Sequence, residues 1–391
     1  MVFARRAAAS VAAIVSGVAV AACTLALEPE SEPTPAPAPQ APTIPEGELL
    51  LWSGDVNGTV VVPSGEDGRV TKGGFVGYEI SPDGSSVIAT REERLSTGIS
   101  YNPELVTIDT RTGDRETLGR TRAREEFGGP VHWSPDGTRV AYRLVRYPTD
   151  PSRHHPAAAP GRVEESLTVC TLALDQPEPR CFPEAGRVFE FDWTPDGHHL
   201  VLTGPGPRPM QLLHVATGRI RVMLSLDDRR LDAILHGPGR DDPVQFTSPR
   251  WSPSGGYLAA LVNAPASVPM IFTRGGRPLA AGRSALGNAY GLAWAPEADV
   301  LYYTTGYDIM RDGAWSLRSL DPVTGEDVVV ARARFRPLVT GFAISPTGRW
   351  LALTDSTSTI RFIDLQGHEP TRSLHWHSQV SLEDWGVEPQ S

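Results

Sequence analysis

One turn recurs six times in this chain, and its spacing restricts the fold more than any bulk property does. The unit is clearest at 131–142, where an apolar run ends in Trp133, Ser134-Pro135-Asp136-Gly137 reverses the chain, and a second apolar run leaves. Proline presets φ at the second turn position, Asp bonds its own backbone, and Gly takes the positive φ that closes the turn. Tryptophan and the β-branched residues beside it have the bulk that a packed sheet needs. Related turns stand at 80–84, 193–197, 251–255, 294–298 and 344–348, with prolines 43 to 60 residues apart. Apolar strands follow them at 87–89, 200–202, 258–260, 300–303 and 350–353.

Each repeat also carries an outer hairpin. Apolar alternation runs into an Asp or Thr-Gly turn at 105–113, 212–218, 317–325 and 360–367, the mark of paired antiparallel strands. Inner strand, turn, second strand, loop and outer hairpin make four strands per unit, and the period is that of a propeller blade. The chain ends hold leftover parts. Residues 49–52, 59–62 and 65–70 read as the last three strands of a blade without its first, and 380–385 as an inner strand without its blade. Joining them removes the exposed sheet edge. The expectation is an all-β, seven-bladed β-propeller closed by pairing of the N- and C-terminal strands, with six blades and decorated ends as the alternative. A ring closed in this way is expected to be monomeric.

The Trp-Ser-Pro-Asp-Gly turn, the apolar strand after it and the Asp-x-x-Thr-Gly hairpin resemble the TolB-type propeller repeat. That repeat also occurs in the propeller domains of prolyl oligopeptidase relatives and in some actinobacterial envelope lipoproteins. The resemblance covers most of residues 75–374. The later copies depart from it at Ser254, Glu297, Ala298 and Thr347, which argues against chemistry by the turn aspartate itself.

The first residues read as an export signal. Arg5 and Arg6 precede an apolar run of small residues over 7–22, of signal length rather than membrane-spanning length. The run ends in Val20-Ala21-Ala22-Cys23, which resembles the bacterial lipoprotein box, where the cysteine is acylated after cleavage. An ordinary signal peptide with an incidental cysteine is the other reading, and the neighbours of Arg5-Arg6 lack the rest of a twin-arginine motif. The organisation expected is a signal peptide over 1–22, a Pro-rich linker over 23–47 and the propeller over 48–388. Two or more acyl chains hold a protein stably on a membrane, so the mature chain is expected on the extracytoplasmic face of the cell membrane. The segment 28–45 is rich in Pro, Glu, Ala and Thr and favours extended polyproline geometry.

Composition argues against a nucleic-acid partner. The formal charge is −10, and no basic stripe is present to neutralise phosphates. An envelope protein or glycan is the partner expected. Among motifs, neither Gly-x-Ser-x-Gly nor His-Glu-x-x-His nor a phosphate or dinucleotide loop is present. The reading is a binding or scaffold module without a cofactor or a metal, and not an enzyme. A lactonase- or lyase-like enzyme working from the central channel is the alternative.

Three groups of residues are candidates for a site. Glu79, His132, Asp192, Arg250 and Asp384 hold the position before the turn-entry residue, with Ala293 and Ala343 completing the set. In a ring they converge near the axis, either as a ligand site or as ties between blades. Long loops at 91–103, 146–165, 226–249 and 305–314 share one face, with Tyr101 and Tyr307 among them, and that is where binding would be placed. The tryptophans at 133, 193, 251, 294 and 385 read as wedges between blades. His375 and His377 lack the further ligands that zinc needs. Cys170 and Cys181 flank a hairpin turn. In an oxidising compartment they pair if the register brings them together, and stay free if it does not.

Overall fold

The recurring turn is held by the same few hydrogen bonds wherever its residues permit. In the copy at 134–137 the Gly137 N–H donates to the Ser134 carbonyl and the Ser134 N–H to the Arg139 carbonyl, both at 2.8 Å. The Asp136 carboxylate accepts from the Ser134 hydroxyl at 2.5 Å and the Thr138 N–H at 3.1 Å. Gly137 adopts a φ of 68°, which costs it little because it lacks a Cβ. The turn thus satisfies its own polar groups and leaves the flanking apolar runs to pair.

The computed structural model describes residues 44–53, 58–63, 69–70, 74–94, 100–122, 124–147, 166–176, 178–225, 244–264, 266–283, 289–306, 314–334, 339–355, 357–375 and 380–387. Among them lie seven four-stranded sheets. Six are continuous in sequence, spanning 75–120, 125–181, 190–224, 245–281, 289–334 and 339–375; they are called sheets 1 to 6. The remaining one, the terminal sheet, is assembled from both ends of the chain. Val380–Gly386 pairs antiparallel with Glu48–Ser53, which continues to Gly58–Pro63 and then Arg69–Val70.

The first strand of each sheet touches the first strand of the next, and Val380–Gly386 touches both Val339–Ile344 and Phe75–Ile80. The sheets therefore fan around a common axis, and the fold is an all-β propeller. Its core is distributed between neighbouring sheets rather than gathered in one place. Met210 and Leu212 of sheet 3 pack with Phe246, Leu258 and Met270 of sheet 4. Leu49, Leu382 and Trp385 of the terminal sheet pack with Trp350, Ile360 and Phe362 of sheet 6.

Three boundaries differ from the sequence reading. The linker does not extend to residue 47: Ile44 is only 4% exposed and belongs to the core of the terminal sheet. The Trp385 indole also donates to the Glu46 carbonyl at 2.7 Å, so burial and hydrogen bonding hold this stretch despite its loop-like composition. The loop at 91–103 is shorter than expected, because the Ser86–Arg94 and Ser100–Asp109 ladder continues to Arg94 and Ser100. The insertion at 226–249 ends earlier, since Gln245–Trp251 is already a strand.

Sheet 2 has an edge that the repeat pattern did not suggest. Its last strand is only Arg180–Cys181, followed by a single 3-10 turn over Pro183–Ala185. Cys181 lies directly opposite Cys170 in the ladder, and the two form a disulfide. The signal peptide, Cys23, Tyr307, His377 and most of the insertions at 146–165 and 226–249 lie outside the described residues.

Leu382 lies at the seam of the ring, 4% exposed, with its amide donating to the Thr354 hydroxyl at 3.2 Å. Leu382→Ala is expected to cost about 2–5 kcal/mol, the usual range for a buried leucine. Denaturant unfolding measures this. An unchanged midpoint would mean that the terminal strand contributes nothing to closure.

Candidate axial binding site

Glu79, His132, Asp192, Arg250 and Asp384 are brought together by the structure. All five line one axial cavity of about 260 Å³. They reach it because each occupies the same place on the first strand of its sheet, one residue before Ile80, Trp133, Trp193, Trp251 or Trp385.

The carboxylates are engaged in holding sheets together. Asp384 Oδ2 accepts the Ile80 N–H at 2.8 Å, linking the terminal sheet to sheet 1. Glu79 Oε2 accepts the Trp133 N–H at 2.5 Å, linking sheet 1 to sheet 2. Asp192 Oδ2 accepts the Trp251 N–H at 2.9 Å, linking sheet 3 to sheet 4. His132 and Arg250 carry no carboxylate, and at their interfaces a different bond is present. The Trp193 indole donates to the His132 carbonyl at 3.2 Å, and the Trp294 indole to the Arg250 carbonyl at 2.9 Å. Where a carboxylate already holds the main chain, at Trp133 and Trp251, the indole nitrogen is buried without a hydrogen-bond partner.

Two lining residues were not foreseen. Tyr78 and Glu383 stand two places before the turn-entry residue, and both lie at bulges. The ladder steps from Gly77 to Glu79 opposite adjacent residues Ala89 and Ile88, and from Leu382 to Asp384 opposite Leu51 and Leu50. An extra residue in one strand re-aims its neighbours, so consecutive side chains reach the channel where strict alternation would send one away. The strand sequences carry no distinct bulge signal. The rest of the lining includes Leu292, Ala293, Phe342 and Ala343. A wider mouth of about 550 Å³ lies on the turn side, rimmed by the six turn prolines and sharing Glu79, Asp192, Arg250 and Asp384 with the cavity.

Crowded carboxylates in a desolvated place resist ionisation. Burial, reinforced by the negative charge of Glu79, pushes Asp384 up to about 7. Burial also raises Asp192, against the opposing pull of Arg250 and His132. Glu383 is raised by the protein atoms around it, although its side chain keeps surface open to the channel. His132 stands with Nδ1 3.6 Å from Glu79 Oε1 and its ring edge-on to Phe191; its Nε2 has no hydrogen-bond partner.

The other candidates are not brought to this cavity. The Tyr101 hydroxyl donates to the Glu125 carbonyl at 2.5 Å and lies 3.2 Å from the Thr121 hydroxyl, so it ties sheet 1 to sheet 2 instead of standing free for a partner. His375 Nδ1 lies 3.3 Å from the Thr359 hydroxyl. Among the described residues no group of three or more His, Cys, Asp or Glu is arranged to hold a metal ion.

The carboxyl shifts set the pH dependence of stability. A pKa raised on folding stabilises at low pH and is lost as pH climbs through the folded value, here about 7 for Asp384. The turn aspartates act oppositely. The Ser81 hydroxyl and the Ser85 N–H hold Asp83 below its ordinary value, a support lost only as pH falls through the carboxylate range. Stability is therefore expected to peak near pH ~4 and decline from pH ~4 to ~7, between the ordinary carboxylate value and the folded value of Asp384. Asp384→Asn keeps an acceptor for Ile80 and should flatten the decline. Thermal melts across that range measure it, and a flat wild-type profile would contradict the assignment.

The sequence matches no known family model and no curated protein. Its fold has solved counterparts. An oligogalacturonate lyase in complex with manganese aligns over 76% of this chain and 78% of its own, with TM-score 0.54 and 13% identity. The Cps50 (Swd1) β-propeller domain of Myceliophthora thermophila aligns over 81% and 92%, with TM-score 0.52 and 12% identity. A functionally unknown protein from Desulfotomaculum acetoxidans aligns over 88% and 100%, with TM-score 0.55 and 10% identity. At such identities the likeness is one of fold: this chain is built as a β-propeller.

Proposed function

We propose that this chain is a lipid-anchored binding or scaffold module of the cell envelope, built as a TolB-type propeller with the terminal sheet as its seventh blade. The observation that carries the reading is the use made of the axial carboxylates. Asp384, Glu79 and Asp192 each give an oxygen to the backbone of the next sheet, so the groups best placed for acid–base chemistry are structural ties. The lyase counterpart acts on oligogalacturonate by its name, and at 13% identity that activity does not carry over.

The anchor is proposed from Cys23 and the apolar run before it. Export is supported by the Cys170–Cys181 disulfide, since such bonds persist chiefly outside the reducing cytosol. The insertions at 146–165 and 226–249 are proposed to receive an envelope protein or glycan, as long loops on a rigid ring commonly do.

Two variants separate this module from an enzyme of the axial ring. Deletion of 150–162 is expected to abolish photo-crosslinking to the partner on intact cells. Asp192→Ala is expected to preserve it while lowering stability by roughly 1–3 kcal/mol, because the Trp251 N–H loses its acceptor. The reverse pattern would favour the axial ring. For the anchor, the wild type should enter the detergent phase on Triton X-114 partition and Cys23→Ala the aqueous phase. A wild type that stays aqueous sinks the lipidation reading.

A further inference from the structure

The axial cavity is divided by chemistry. In order around the ring, the residues before the turn entry are Asp384, Glu79, His132, Asp192 and Arg250, then Ala293 and Ala343. Sheets 1 to 4 and the terminal sheet thus supply a polar wall, joined by Tyr78 and Glu383. Sheets 5 and 6 supply an apolar wall of Leu292, Ala293, Phe342 and Ala343.

On the polar wall negative charge is in excess. Glu79, Asp192, Glu383 and Asp384 share the cavity with a single guanidinium, Arg250, which gives Nη1 to the Pro249 carbonyl at 3.0 Å. The carboxylates keep further lone pairs, because the backbone bonds fill one position on an oxygen that can accept two.

His132 is the independent sign of a ligand. The residue is more than nine-tenths buried, at 8% exposure, and lines the cavity. Glu79 Oε1 beside Nδ1 favours the tautomer with the proton on Nδ1. Nε2 is then an acceptor, and it is buried with no donor, an arrangement that costs free energy until one arrives. An ammonium brings three donors and a positive charge. A metal ion fits less well, since among the described residues no three His, Cys, Asp or Glu are arranged to hold one.

We propose that the axial cavity binds the head of a primary alkylammonium, held by Glu79, Asp384 and His132 Nε2, with its carbon chain along Ala293, Ala343 and Phe342. At about 30 Å³ for each water-sized group, 260 Å³ holds roughly eight or nine such groups, enough for an ammonium on a five-carbon chain with room to spare. The prolines of the mouth give access from the turn face. This site rests on the binding-module reading of the ring, yet it is separate from the loop face where the macromolecular partner is placed.

The test is calorimetric titration of the full chain in detergent with n-pentylammonium chloride, with n-pentanol and pentanoate as controls. One saturable site for pentylammonium is expected, with neither control binding. Affinity should rise about tenfold from pH 6 to pH 8 as Asp384, near 7, releases its proton to solvent and presents a carboxylate to the incoming cation. Glu79, Glu383, Asp192, His132, Arg250 and Tyr78 face the same space and set the slope around that value. Asp384→Asn and Ala293→Leu should each weaken binding at least ~tenfold, the first by removing charge and the second by filling the apolar wall. Melting curves certify that each variant is folded, and Ala293→Leu leaves every axial hydrogen bond in place. No saturable binding, equal binding of pentanol, preference for pentanoate, or indifference to Ala293→Leu would each overturn the proposal. Nα-acetyl-lysine methylamide distinguishes the sources: tighter binding than pentylammonium assigns the head to a peptide lysine, weaker binding to a free amine. Loss of pentylammonium binding with loop-face crosslinking intact rejects this site and leaves the module reading standing.

Discussion

Neighbouring sheets of a propeller share no strand ladder, so the ring depends on the bonds that side chains make from one sheet to the next. At the turn entry those bonds are of two kinds, and one residue decides between them. A carboxylate before the turn entry takes the main-chain N–H of the following sheet, as Glu79 does with Trp133 and Asp192 with Trp251. A residue without a carboxylate leaves the task to the next tryptophan, whose indole reaches the main-chain carbonyl of His132 or Arg250. The first kind is charge-assisted and worth more than the second, but it strands a buried indole N–H. Each of these four interfaces therefore gains one axial tie and forgoes the other.

Where the deciding residue is alanine, the sheets meet by close approach. A methyl group placed on Gly291 would come within 3.0 Å of Phe342 of sheet 6, and one on Gly341 within 2.6 Å of the Leu382 backbone nitrogen. Glycine at both positions lets the strands approach to ordinary packing distance, and dispersion takes the place of the axial tie. The ring thus has a polar arc and an apolar arc, a division that follows from how each interface is joined. The channel inherits that asymmetry without any residue being added for it.

The repeat was legible because its turn is a local device. Ser134, Pro135, Asp136 and Gly137 form it among themselves, so their order in the chain is sufficient to place two strands. The terminal sheet was legible for a different reason. An inner strand at 380–385 and three outer strands near 49–70 are complementary fragments, and joining them removes an exposed sheet edge. Ile44 and Glu46 were not legible, since their attachment is to Trp385 at the far end of the chain. Nor were Tyr78 and Glu383, because a bulge breaks the period of two on which strand patterns are read. The axial set was found by register alone. Its ties were not, because an aspartate bonded to the next sheet and one turned toward a ligand are the same letter in the same place.

The two demands placed on those carboxylates are compatible for an electrostatic reason. A backbone N–H brings only a partial charge, so Asp384 and Glu79 each gain a hydrogen bond while their mutual repulsion persists, and Asp384 remains protonated up to about 7. Neutralising one of them with a fixed lysine or arginine would remove the strain and fill the cavity. This ring has Arg250 three sheets away from each of them, closest in its influence to Asp192, and leaves the pair formed by Asp384 and Glu79 without such a partner. The site where sheet 1 meets the terminal sheet therefore holds more negative charge than the fold needs for its own bonds. Next to it round the ring stand the alanines of sheets 6 and 5, which leave room for whatever compensates it.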